Sequence, residues 1–184
     1  ANGHVDRVDR DDVAYRMPPQ LFSRTENGRW EEWDRSALGE YFSHDHLGRA
    51  MVTLDVDRDG RCDVAISHVD DPAALLVNQT PDAGRSIRLE LKATQSPRDA
   101  IGARVTAMIG TRKHVSQLMT GDGYMASNER QIHIGCGQAE TIEEVTVSWP
   151  SGHVEAFGVL ASGRDYLLVE GSAKSLTMWQ HPQR

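Results

Sequence analysis

Basic residues are in the minority in this chain: 20 Lys and Arg stand against 27 Asp and Glu, a net charge of −7. A nucleic-acid binder needs a basic face for the phosphates, so that class is excluded. Aromatic residues make up only 6%, too few for a wide sugar-stacking platform. No stretch approaches the ~18 consecutive apolar residues of a membrane-spanning helix, and no amphipathic helix of useful length can be traced. Cysteine is nearly missing: Cys62 and Cys136 are the two present, and they lie in no metal-ligand spacing. A disulfide between them is open in an oxidising compartment. They fall in what read as different modules, which favours two buried thiols. The chain starts at Ala1 without a methionine or a signal peptide, so the expectation is a mature, processed or truncated product with any export signal upstream.

Catalytic constellations are missing as well. Ser127 and Ser151 lie outside the Gly-x-Ser-x-Gly elbow of hydrolases. Cys136, between two glycines and near His133, is the best nucleophile candidate, but it reads as a small buried hydrophobe at a strand end. Glu143 and Glu144 are neighbours on an expected strand and so point to opposite faces. No glycine-rich phosphate loop precedes a helix. The expectation is no enzyme and no catalytic residue.

What the chain does have is Asp55-Val56-Asp57-Arg58-Asp59-Gly60-Arg61-Cys62-Asp63. Carboxylate oxygens are hard ligands, and calcium takes about 6–8 oxygens at roughly 2.3–2.6 Å. A single peptide can wrap such an ion only by turning sharply, and Gly60 stands where the turn is needed. Asp55, Asp57, Asp59 and Asp63 would contribute side chains at loop positions 1, 3, 5 and 9, and Arg61 at position 7 its backbone carbonyl. An EF-hand closes with a glutamate at position 12 between helices. Here position 12 is Ile66, and the flanks, 50–54 and 64–68, are short, apolar and β-rich. The unit is therefore strand, calcium loop, strand. A solvated acidic turn is the bland reading, since Asp and Gly favour turns. Four aspartates this close repel one another without a cation, which favours the metal.

Residues 48–67, with the strand 74–79 that follows, resemble a blade of the FG-GAP/VCBS calcium-binding β-propeller repeats. Upstream, residues 20–25 and 29–33 flank Asn27-Gly28, the dipeptide best suited to a tight hairpin turn. His44, Asp45 and His46 sit in the connector 34–48. Two histidines two apart could share a face for a transition metal, but no third ligand is identifiable, so they read as a polar connector. Asn78-Gln79-Thr80 fits a glycosylation sequon and is taken as a strand-end asparagine.

Beyond a boundary at 81–84, strands come at short intervals. Residues 87–93 alternate apolar and polar, 104–109 and 113–118 flank a hairpin at Gly110-Thr111, and 143–149 put Val145, Val147 and Trp149 on one face. Trp149 to Gly152 is turn chemistry, and 153–157 and 165–170 finish the module. Frequent strands with glycine-rich turns argue an antiparallel β-sandwich. Four blocks, at 96–105, 121–127, 133–137 and 147–152, resemble the ASPIC/UnbV domain. Ile134 and Cys136 stand where that family usually has Phe and Leu. A propeller followed by this domain is the layout of the cartilage-acidic-protein family and its bacterial relatives. If the domain binds a ligand, its polar members Arg98, Asp99, Arg104 and Tyr124 are the candidates. Otherwise Arg98 and Asp99 pair to fix a loop.

The expectation is an all-β chain: partial propeller blade over 1–81, antiparallel sandwich-like ASPIC/UnbV module over 85–171, and a C-terminal tail over 172–184. The resemblance implies an extracellular or periplasmic calcium-binding interaction or scaffold protein with Ca²⁺ as its ion and no organic cofactor. Its partner would be a protein or glycan. A propeller needs roughly 4–8 blades, so association with missing blades or another chain is also expected. The competing readings are the accessory end of a larger hydrolase and a calcium-dependent carbohydrate-binding module.

Overall fold

The computed structural model describes residues 14–25, 27–123 and 125–182. These are all-β: among the described residues there is no α-helix, and the only helical turns are 3-10 turns at Arg35–Ala37 and Glu40–Ser43. The polar stretch at the N-terminus up to residue 13, and Tyr124, lie outside the described residues. The described residues group into two compact units: those within 1–54, 63–77 and 123–127 form one, and those within 55–62, 78–122 and 128–184 the other.

In the first unit, β1 (Phe22–Arg24) and β2 (Trp30–Glu32) make the expected hairpin, with Arg24 opposite Trp30. Thr25 N–H donates to the Arg29 carbonyl at 2.8 Å across the turn. A three-stranded antiparallel meander follows: β3 (Gly48–Leu54), β4 (Asp63–His68) and β5 (Ala74–Leu76). The strand expected over 74–79 stops at Leu76, because Asn78 turns back and accepts the Thr80 N–H at 3.0 Å. Buried apolar side chains are scarce here; Pro19, Leu47 and Ile66 are the ones below a tenth exposed among the described residues. Polar groups do the tying instead. Arg16 reaches Asp70 and Asp71 at 2.7 Å each. Tyr41 stacks on His46 at 4.1 Å and donates its hydroxyl to His68 Nε2 at 2.9 Å, while His68 Nδ1–H donates to the Pro72 carbonyl at 2.8 Å. That places His46 in an aromatic contact of the connector.

The second unit holds two four-stranded sheets. One contains β7 (Arg104–Ile109), β8 (Arg112–Gln117), β10 (Thr141–Ser148) and β11 (Val154–Ala161), in the order β11-β10-β7-β8. The other contains β6 (Arg85–Lys92), β9 (Gln131–Gly137), β12 (Arg164–Val169) and β13 (Ser175–Gln180), in the order β13-β12-β6-β9. Alternation builds these strands: Ile87, Leu89 and Leu91 turn to one side of β6, and Val145 and Val147 do the same on β10, followed by Trp149. Side chains from both sheets enter a single hydrophobic cluster that includes Leu89, Val105, Ile134, Val145 and Leu168. Each such side chain, fully buried, contributes about 1.5–3 kcal/mol. The β7–β8 hairpin turns on Gly110 at φ +57°, as its two-residue loop requires. Gly152 N–H donates to the Trp149 carbonyl at 3.0 Å, closing the Pro-Ser turn.

Two features differ from the sequence expectation. The pairing is not wholly antiparallel: β12 runs parallel to β6, with Tyr166 opposite Leu89. Between β6 and β12 the chain builds the whole of the other sheet and also lays β9 antiparallel along one side of β6, and so long a connection lets β12 enter on the other side in the same direction as β6. And residues expected as a tail include β13, which pairs with β12.

Candidate functional site

The aspartate segment is the connection between β3 and β4. Its backbone is shaped by its first carboxylate: Asp55 accepts the N–H of Asp59 at 3.0 Å and of Gly60 at 2.9 Å, curling the chain back over itself. Gly60 takes φ +87°, and Arg58 also lies in the left-handed region at φ +56°. A Cβ at Gly60 would stand 2.3 Å from His181 Nδ1 and 2.9 Å from Ser86 Oγ, so both backbone angle and close approach require glycine.

Along this hairpin, carboxylate oxygens of Asp55, Asp57 and Asp63 come within 4.8 Å of one another. Asp55 and Asp63 are buried and Asp57 is exposed. Asp59 is not in that group. Its carboxylate takes the Arg61 guanidinium at 2.5 Å and the Arg61 backbone N–H at 2.8 Å. Arg61 carries a charge that acts inside the loop, where only its carbonyl was expected to matter. Three converging carboxylates, two of them shielded from bulk water, are an all-oxygen donor set that fits a hard divalent cation. Backbone carbonyls and water would have to complete the shell.

The turn of the loop, residues 55–62, is held on the β13-β12-β6-β9 sheet of its own unit. Arg88, from β6, points Nη1 at Asp55 Oδ2 (3.4 Å) and grips Asp165 of β12 with Nε at 3.0 Å and Nη2 at 2.5 Å. His181 Nε2–H donates to Asp165 Oδ1 at 2.7 Å. The Gly60 carbonyl accepts from Ser86 Oγ at 2.5 Å and His133 Nε2 at 3.2 Å. Arg58 lays its guanidinium over Trp179, 5.2 Å from the ring centre, and Trp179 Nε1–H donates to the Arg58 carbonyl at 3.4 Å. Burial pushes His133 below the usual histidine range, against its bond to Gly60, which favours the charged form. Burial also works to raise Asp165, but His181 and Arg88 outweigh it and hold the carboxyl below its ordinary value. Of these supporting residues the sequence singles out His133, and that only as a neighbour of Cys136. The alternation over 87–93 puts Arg88 on the polar face of its strand, but not in a dry contact with a residue 77 positions away.

The remaining candidates do not assemble with this loop. Arg98 is exposed, and its carbonyl accepts the Ala93 N–H at 3.0 Å. Asp99 pairs with Arg130, not with Arg98 as expected. Arg130 enters just before β9 and presents its guanidinium where the neighbouring Arg98 does not. Arg104 is exposed at the start of β7, opposite Gln117 and Ser148. The fixing of the 94–98 loop falls to a residue the sequence reading passed over. Glu170 accepts the consecutive N–H groups of Thr94, Gln95 and Ser96 at 2.8–3.0 Å and the hydroxyls of Ser96 (3.2 Å) and Ser151 (2.5 Å). Burial alone would raise this carboxyl; Ser151 and the three backbone donors overcome it and bring it down to about 2. Of the two cysteines, Cys136 is buried as expected and its thiol is pushed up by burial to about 11, far from a nucleophile. Cys62 is exposed, not buried, because it lies on the hairpin loop; no disulfide joins the two.

Residues 93–175 match the family model described as ASPIC and UnbV, somewhat less than half of the chain. The match begins one residue after β6 and ends at the first residue of β13. No curated protein matches the chain.

Proposed function

We propose that this chain is a non-catalytic calcium-binding interaction module that works outside the cytoplasm. In this reading, the ion joins Asp55 and Asp57, just after β3, to Asp63 at the start of β4, and so staples the two strands of a propeller-blade-like meander through one loop. The two-sheet unit, with its ASPIC/UnbV match, then serves as a sandwich-like scaffold that carries the loop. The observation that carries the reading is the convergence of Asp55, Asp57 and Asp63 within 4.8 Å around a turn that only glycine can make. Three anions so close repel one another; Arg88 offsets part of that at Asp55, and a bound cation would offset the rest at Asp57 and Asp63. Extracellular calcium sites work at dissociation constants of about 10⁻⁴–10⁻³ M, which suits a donor set with only three carboxylates. The partner is a protein or glycan engaged by the calcium-ordered surface, and further blades from another chain would extend the meander.

Because calcium binds the folded form, a hundredfold excess over the dissociation constant adds about 2.7 kcal/mol of stability. Thermal melts of the full chain in millimolar calcium and in chelator test this. A higher Tm in calcium, lost in Asp57→Ala, supports the staple; identical melts under both conditions refute it.

A further inference from the structure

We infer that Arg61 sets how tightly the loop holds its cation, by keeping Asp59 paired as a reserve ligand; the inference rests on the calcium reading above. By its spacing, Asp59 belongs with the other three carboxylates. Instead it sits 2.5 Å from Arg61 Nη2, with its side chain 3% exposed and that of Arg61 12%. This is a nearly dry ion pair, unlike the solvated surface pairs that contribute little. Its geometry is unsaturated. Arg61 Nη1 donates to the Thr80 carbonyl at 3.3 Å, but Nε is buried with no acceptor. A buried guanidinium with an orphaned N–H is held at a cost, so the pair is poised for exchange.

A guanidinium and a divalent cation are alternative partners for one carboxylate. Without the ion, Arg61 offsets Asp59 and Arg88 offsets Asp55, at 2.5 and 3.4 Å, which lets four aspartates fold into one short loop. Asp59 becomes a fourth ligand only if Arg61 gives it up. Arg61 is thus an internal competitor, and removing it strengthens cation binding while weakening the ion-free loop.

Calorimetric calcium titration of the chelator-stripped full chain tests this on wild type, Arg61→Gln, Asp59→Asn and the double variant. Arg61→Gln should tighten binding about tenfold, as an added ligand charge does. Asp59→Asn should leave the wild-type affinity within about twofold, and the double variant should lose the gain, a coupling that only a direct Arg61–Asp59 linkage produces. If wild type binds and Arg61→Gln binds equally, the inference is overturned and the calcium reading stands. A large loss of affinity in Asp59→Asn would mean that Asp59 already ligates the ion, which also overturns the inference. If wild type does not bind but Arg61→Gln does, Arg61 is a permanent substitute for the ion, and the calcium reading fails while the competition holds. If no variant binds, both fall. Arg61→Lys covers the case where Arg61→Gln does not fold: its ammonium cannot reproduce the forked pairing, so a smaller gain is expected and no gain overturns the proposal.

Discussion

Leu89, Ile134, Val145 and Leu168 of the second unit are fully buried, whereas Phe22, Trp30, Trp33 and Leu75 of the first are between 47% and 68% exposed. Both units are β-structure, and the first holds seven of the eleven aromatic residues, so a shortage of large apolar side chains does not explain its thin interior. Sheet size does. Two four-stranded sheets of mostly six to eight residues per strand can turn alternate side chains into one dry interior. A three-stranded sheet with a three-residue edge strand and a separate short hairpin cannot. In place of such an interior the first unit shows polar contacts, Arg16 with two aspartates and Tyr41 with two histidines. The lesson is that the core and the candidate ion loop answer to different forces and can be perturbed separately.

The largest effect should come from the core. Leu89→Ala leaves a cavity and should cost about 2–5 kcal/mol in urea unfolding, while Trp30→Ala, at 68% exposure, should stay within about 0.5 kcal/mol. Equal losses would break the contrast. Next comes Gly60→Ala, which forces a Cβ into φ +87° and against His181. A loss of about 1–3 kcal/mol is expected, with weaker amide-exchange protection over residues 55–62 and an unchanged core. Loss of protection throughout would mean that the loop and the core are not separable.

Glu170 sharpens the comparison from the core side. Its folded pKa, about 2, lies below the ordinary carboxyl value of 4.5. Its stabilisation is therefore fully present above about pH 4.5 and is lost as pH falls toward 2. Glu170→Gln should lower the Tm at pH 7, and its deficit relative to wild type should shrink as pH drops through that window. A deficit that does not change between pH 7 and pH 2.5 would remove the carboxylate from the account. The smallest effect belongs to Arg16→Ala, an exposed pair of the first unit, with a Tm change near the limit of detection. A change as large as that of Leu89→Ala would show the polar ties to be essential.

Much of the second unit was legible because its signals are local. Alternation over 87–93 and 143–149, glycine at 110, and the Pro-Ser-Gly turn at 150–152 each act within a few residues. The parallel pairing of β12 with β6 and the edge strand β13 were not legible, since strand direction and neighbour choice are decided across some 70 residues. At the loop, spacing anticipated that Asp55, Asp57 and Asp63 come together. It did not anticipate Asp59 turning to Arg61, because the carbonyl role assigned to position 7 ignores which side chain stands there. Arg88, Asp165 and Glu170 were missed for the same reason as β13: a charged residue on a strand reads as solvated until its distant partner is known.

The most direct test of the calcium staple is a high-resolution crystal structure of the full chain grown in millimolar calcium. The account predicts one strong density peak within roughly 2.3–2.6 Å of carboxylate oxygens from Asp55, Asp57 and Asp63. Those three side chains turned apart, with water alone between them, would contradict it.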